Sequence, residues 1–232
     1  QDAMLKTLKA FKICNEVKEL RYLVYGPVGA GKSSTINTIR SIFEGRQFVN
    51  CLAAPGSTLS HTLCYESFRF ANEEEAFPFA FYDIMGAEAK GVENKGVQTQ
   101  DVISALKGNI KEGYMFNPTT PVSEKNKYYI NNPSLSDQMH CLVFVVPGDV
   151  ATVVESDFLK TLNIVRKTAS RMGIPQVVFM TRVDLTCSLV KNNLHNIYKS
   201  KKIRINMQKY SHALGVPVNC IFPVLNYHDE TH

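Results

Sequence analysis

Residues 26–33 read Gly26-Pro-Val-Gly29-Ala30-Gly31-Lys32-Ser33. They match, at every specified position, a loop that begins and ends its turn with glycine and closes on Lys-Ser. Such a loop turns its backbone N–H groups inward around a β-phosphate. The lysine reaches the β and γ oxygens, and the following hydroxyl is placed to ligate Mg²⁺. The flanks supply the context that this chemistry needs. Leu20–Tyr25 (LRYLVY) is a short β-rich run, and Ile36, Ile39 and Phe43 recur at helical spacing across 32–43. Strand, glycine loop and helix aim a helix N-terminus at an anion. Gly26, Gly29, Ala30, Gly31, Lys32, Ser33 and Ser34 are therefore the expected phosphate-binding residues, with Ser33 also a metal ligand.

A nucleotide site requires further parts at the ends of later strands. Phe79–Tyr82 is a continuous apolar run ending at Asp83, and Asp83-Ile-Met-Gly86 follows. Asp83 is expected to hold Mg²⁺ through water, and the N–H of Gly86 to meet the γ-phosphate. After the apolar run 176–180 comes Thr181-Arg182-Val-Asp184. This resembles the [NT]-K-x-D base-recognition element of GTP-binding proteins, with arginine in place of lysine. Asp184 would accept from the guanine N1–H and exocyclic amine, and Arg182 would lay its stem or guanidinium plane along the base. Thr58 and Thr62 both stand where a switch threonine binds Mg²⁺ and the γ-phosphate; Thr58 is favoured. Val224-Leu-Asn226 occupies the remaining base-side position but departs from the common Ser-Ala-Lys pattern, leaving the guanine O6 contact unassigned. Ala87 and Glu88 follow Gly86 where many small GTPases carry a water-orienting glutamine. An alanine methyl cannot position water, so slow or partner-dependent turnover is expected.

The 232 residues are 44% hydrophobic and 20% charged, an ordinary globular composition for one large α/β domain. No apolar stretch approaches the roughly 20 residues that span a bilayer. Six cysteines are scattered without C-x-x-C spacing, which is read as reduced core residues and a cytoplasmic address. The net charge is +5, with a local excess at Lys199, Lys201, Lys202, Arg204 and Lys209. Ile203, Met207, Tyr210 and Leu214 mark the buried face of a helix there, so the cations fall mostly on its wet side. No RNA- or DNA-reading motif accompanies them, and a nucleic-acid partner is not expected.

Strands are expected at 63–70, 79–82, 141–146, 176–180 and 218–224, and helices at 32–43, 97–106 and 154–171. The alternation predicts a doubly wound, mostly parallel sheet with helices on both faces, the architecture of P-loop GTPases, over residues 20–232. Residues 1–19 form an N-terminal amphipathic helix or linker, with Met4, Leu8, Phe11 and Cys14 on one stripe across 4–19. Residues 110–138, polar and carrying Pro118, Pro121 and Pro133, read as a long insert-like loop of functional or mobile character.

Taken together, Leu23–Ser34, Asp83–Gly86, Leu106–Lys111 (LKGNIK), Tyr114–Pro118 (YMFNP), Ser134–Asp137 with His140-Cys141, Thr181–Asp184 and Asn226-Tyr227 resemble the interferon-induced protein 44 family. The similarity runs from about Leu20 onward. It implies a guanine-nucleotide-binding domain binding GTP and GDP with Mg²⁺, in an interferon-inducible cytoplasmic protein linked to antiviral defence and restraint of proliferation. The family carries a region before this domain, and a G domain usually adds a closing helix after the last strand. The chain is therefore expected to be a fragment of a longer protein, its 4–19 helix covering the sheet surface that the closing helix would otherwise occupy. Two functional readings stand side by side. One is a slow GTPase; the other is a nucleotide-gated, non-catalytic module that presents the switches and 110–138 to a second copy or to a host or viral protein.

Overall fold

The computed structural model describes residues 2–11, 13, 15–44, 64–71, 76–84, 97–149 and 158–226. Six strands form one sheet in the order β2-β3-β1-β4-β5-β6. They are β1 (Leu20–Tyr25), β2 (Glu66–Ala71), β3 (Ala76–Asp83), β4 (Cys141–Pro147), β5 (Gln176–Thr181) and β6 (Ile221–Pro223). Every neighbouring pair is parallel except β2–β3, an antiparallel pair at one edge. The chain runs from β1 out to the edge strand β2, turns back as β3 beside β1, then crosses past β1 to β4, β5 and β6. The carboxyl end of β1 is thus the topological switch point, where ligands of doubly wound sheets bind. The glycine loop leaves the sheet there.

Two apolar layers hold the sheet. On one face Ile36 of α2 (Lys32–Glu44) packs with Val24, Phe70, Phe77, Phe79, Phe81, Val143 and Val145, and Phe43 stacks on Phe70. The other face buries Leu23, Tyr25, Leu142, Phe144, Val146, Val178 and Met180 against α3 (Thr99–Leu106), α4 (Phe158–Arg171) and α7 (Lys201–Leu214). Central strands buried on both faces read as unbroken apolar runs, hence CLVFVVP for β4. The stripe Ile203, Met207, Tyr210, Leu214 is buried as its spacing predicts. Between β5 and α7 lie two short helices, α5 (Val183–Thr186) and α6 (Ser188–Asn192), and a 3₁₀ turn, Leu194–Lys199. Cys64, Cys141, Cys187 and Cys220 are free and half-buried.

Three sequence expectations change. The N-terminal helix α1 covers only Asp2–Lys9 rather than 4–19, and Met4, Leu8 and Phe11 stay exposed. Helix α1 does lie against β3, but not through these three side chains; Cys14 lies outside the described residues. Just downstream of it, Val17 is buried, Glu16 O accepts the Ser136 hydroxyl at 2.7 Å, and Glu19 takes both ends of the Arg69 guanidinium. These tertiary ties hold 16–19 as a lead-in to β1, and tertiary context outweighs helix periodicity. The last strand is shorter than 218–224, because Val218–Cys220 forms a 3₁₀ turn. Residues 110–138, although without regular structure, are fixed. Lys111 N–H donates to Tyr128 O at 2.8 Å, Ile130 N–H to Asn109 O at 2.8 Å, and Tyr65 N–H to Tyr114 O at 2.8 Å. Asp101, buried in α3, accepts the Val122 N–H at 2.7 Å, and Tyr114, Phe116 and Val122 are buried. Apolar anchors and paired backbone groups meet the cost of ordering so long a loop.

The segment returns to the sheet at His140. Its N–H donates to Arg21 O at 2.8 Å, while its Nδ1 accepts the Arg21 N–H at 2.9 Å. Only the neutral ring can accept there. Burial, then the Arg21 guanidinium, lower its pKa against weaker opposing contributions from the Leu135 carbonyl and Glu19. The unfolded chain therefore binds a proton that the folded one resists. This contribution is absent above the ordinary histidine range and destabilises as pH falls through it. Urea unfolding of wild type should lose more stability between about pH 7.5 and about pH 5.5 than His140→Asn, whose amide oxygen replaces the acceptor without titrating. Equal losses would contradict the assignment.

Candidate functional site

The glycine loop is shaped from both sides. Gly29 and Gly31 take φ of +73° and +90°, which side chains rarely tolerate. At Gly26 the limit is contact: a Cβ there would overlap the carbonyl oxygen of Val145 on β4. The loop then enters α2 with the Thr35 N–H on Gly31 O at 2.8 Å. Lys32 is buried, and its Nζ donates to Gly26 O and Pro27 O, each at 3.1 Å. Burial lowers its pKa, and the charge of Asp83 works in the opposite sense.

Asp83 ends β3 and is fully buried. The Ser33 hydroxyl donates to its Oδ2 at 3.3 Å, while Oδ1 is buried without a hydrogen-bond partner among the described residues. Burial raises its pKa to about 6, with Lys32 and the Ser33 hydrogen bond opposing. An orphaned, water-excluded carboxylate oxygen beside a serine hydroxyl fits the donor set of a hard, oxygen-seeking cation such as Mg²⁺. Thr58, Thr62 and Gly86 lie outside the described residues.

The ends of β5 and β6 close over the loop. Thr181 is buried, and its hydroxyl donates to Ala30 O at 2.6 Å, with Val146 O at 3.2 Å. Arg182 has φ of +56°, the one non-glycine residue with positive φ among those described, and its guanidinium bonds Gly29 O. Its side chain therefore crosses the loop from the carboxyl end of β5. Asp184, in the first turn of α5, is half-buried and makes no hydrogen bond among the described residues, leaving both oxygens available. Asn226 is used differently from the base-side role expected of it. Its amide donates to Gly31 O at 3.2 Å and its oxygen accepts the Thr35 hydroxyl at 3.1 Å. Both ends of the amide are committed to the loop. Ser34 is half-buried on α2, its carbonyl accepting from Thr38.

Two supporting residues escaped the sequence reading. Thr35 joins Asn226 to Gly31; a lone threonine in a helix carries no signal of that kind. Gly148, just past β4, donates to Thr181 O at 2.7 Å, and a Cβ there would overlap the Thr186 hydroxyl. It gives the Thr181–Asp184 turn a close-packed floor, and the signal for it was a glycine directly after a buried strand.

Strand order, loop and strand-end residues together define a P-loop GTPase-like α/β fold. No protein-family model matches the chain. It is similar to human interferon-induced protein 44, 30% identical over 215 residues, covering 92% of this chain and 48% of that protein. Human interferon-induced protein 44-like is 32% identical over 216 residues, covering 91% and 46%. The mouse interferon-induced protein 44 is 27% identical over 229 residues, covering 98% and 53%. Its curated relatives are thus members of the interferon-induced protein 44 family, and the chain spans about half their length. Among solved structures, a probable GTP-binding protein engB has a TM-score of 0.46 at 12% identity, covering 89% of this chain and 88% of that one. A GTP-binding protein from Sulfolobus solfataricus in complex with GDP has a TM-score of 0.40 at 12% identity, covering 89% and 47%.

The loop's close contact with β4 can be tested alone. Gly26→Ala should lower unfolding free energy by about 1–3 kcal/mol, since an added methyl must displace backbone rather than a flexible side chain. An unchanged urea midpoint would contradict the geometry.

Proposed function

We propose that the chain is a guanine-nucleotide-binding domain that takes GTP and GDP with Mg²⁺ and hydrolyses GTP slowly or only with a partner. The observation that carries this reading is the convergence of three strand ends on one loop: Asp83 of β3 at its serine, Thr181 and Arg182 after β5 on its carbonyls with Asp184 beside them, and Asn226 past β6 on Gly31 O. Lys32 would exchange its contacts with Gly26 O and Pro27 O for phosphate oxygens. Ser33, and Asp83 through water, would hold Mg²⁺, with Thr58 the favoured switch ligand. The ion would neutralise charge on the β and γ oxygens. Asp184 would select guanine, which offers it two donors where adenine offers none in that pattern. Gly86 would supply an N–H to the γ-phosphate.

The resemblance to interferon-induced protein 44 supports an interferon-induced, cytoplasmic protein with an antiviral role. A second reading, a nucleotide-gated interaction module without catalysis, draws on Ala87. It would meet a second copy or a host or viral protein through the switches and 110–138. Single-turnover GTP hydrolysis measured against Lys32→Ala separates the two.

Calorimetric titration with GDP, a GTP analogue and an ATP analogue, with and without Mg²⁺, tests the central reading. Guanine nucleotides should bind and the ATP analogue should not; no binding of GDP would overturn it. Asp184→Asn should move preference toward xanthine nucleotides. Asp83→Asn should remove the Mg²⁺ dependence of binding. Because burial raises the Asp83 pKa, its ionised form costs stability as pH rises through about 6. The same variant should therefore stabilise the Mg²⁺-free protein on the order of 2 kcal/mol at neutral pH. Loss of stability with Mg²⁺ dependence unchanged would reject Asp83 as the metal anchor.

A further inference from the structure

Immediately beyond the base-recognition turn, the charge of the chain is concentrated. From Arg182 to Lys209 there are seven cationic residues and one acidic one, Asp184, a net +6 where all 232 residues carry +5. Lys191, Lys199, Lys201, Lys202, Arg204 and Lys209 are all exposed. The same stretch presents apolar side chains to solvent: Leu185 is 74% exposed, Leu189 64%, Leu194 47% and Tyr198 72%. They stand on α5, α6 and the 3₁₀ turn, which pack on one another and on α7 as one module. Asn196 Nδ2 donates to Leu189 O, and the Ser200 hydroxyl donates to Cys187 Sγ at 3.2 Å. Leu185, Arg182 and Lys202 share the wall of one cavity of about 500 Å³.

We infer that this surface adsorbs to an anionic phospholipid bilayer. Its six exposed cations complement an acidic headgroup layer, which attracts clustered lysines and arginines within a Debye length. Three further observations favour lipid over other anionic partners. Leu189 and Leu194 are exposed outside that cavity, as insertion at the acyl boundary requires and a docked peptide does not. Five of the seven cations are lysines, whereas protein interfaces are enriched in arginine and depleted in lysine. Tyr198 is the one strongly exposed aromatic ring among them; it suits the headgroup level, while binding to nucleic-acid strands draws on several stacking rings. No helix among the described residues is long and apolar enough to cross a membrane, so the module lies on the surface. The inference does not rest on nucleotide binding.

The test is co-sedimentation of the 232-residue chain, without nucleotide, with vesicles of phosphatidylcholine alone or of an equimolar phosphatidylserine–phosphatidylcholine mixture. Binding should require phosphatidylserine and weaken with added salt. Lys201→Glu with Lys202→Glu should lower the partition coefficient by about tenfold or more. Leu185→Ser with Leu189→Ser should lower it while leaving the salt dependence in place. Circular dichroism and thermal melts of both variants exclude unfolding. Absence of binding to the mixed vesicles, or binding unaffected by both variants, would overturn the inference. So would retention on polyglutamate or RNA without vesicle binding, which would give the surface to an acidic protein or to nucleic acid.

Discussion

The rest of the structure depends on how the carbonyls of the glycine loop are satisfied. A loop whose N–H groups face inward must direct its C=O groups elsewhere, and each buried carbonyl needs a partner. Here the partners come from Lys32 on Gly26 and Pro27, Arg182 on Gly29, Thr181 on Ala30, and Thr35 with Asn226 on Gly31. Three of those five residues arrive from the ends of β5 and β6, more than 140 positions away in sequence. The contacts that shape the glycine loop therefore also fix the Thr181–Asp184 turn relative to it. Parallel β1, β4 and β5 set the spacing, and Gly26 against Val145 leaves no room for it to drift.

The same enclosure creates an electrostatic tension. Lys32 and Asp83 are both buried, and burial moves their pKa values toward the neutral forms while their mutual attraction opposes it. Such a pair is an expensive way to stabilise a fold. It is intelligible where charges are to be matched by a ligand, a polyanion for the lysine and a divalent cation for the carboxylate. Perturbed groups concentrated at the switch point of a doubly wound sheet fit that use.

Much of this was legible in the sequence because it is local. The loop, the apolar strands that precede Asp83 and Thr181, and the α7 stripe each announce themselves by spacing within a dozen residues. What escaped was long-range. Asn226 looked like a base-side residue by position, yet its amide is spent on Gly31 and Thr35. The stripe of 4–19 has helical period, but the described helix ends at Lys9, and Glu16 and Glu19 on either side of a buried Val17 are tied to distant residues. Residues 110–138 lack periodicity and so resemble a free loop. Their order comes from Asp101, Asn109 and Tyr65, none of which advertises a loop partner.

The central claim is that phosphate cradle and base-side turn form one guanine-specific site. Amide hydrogen exchange with and without ligand tests it most directly. Added GDP with Mg²⁺ should protect Gly29–Ser33 and Val183–Thr186 together, while ATP with Mg²⁺ leaves both unchanged. Protection of the loop alone, equal protection by ATP, or no response to GDP would contradict the account.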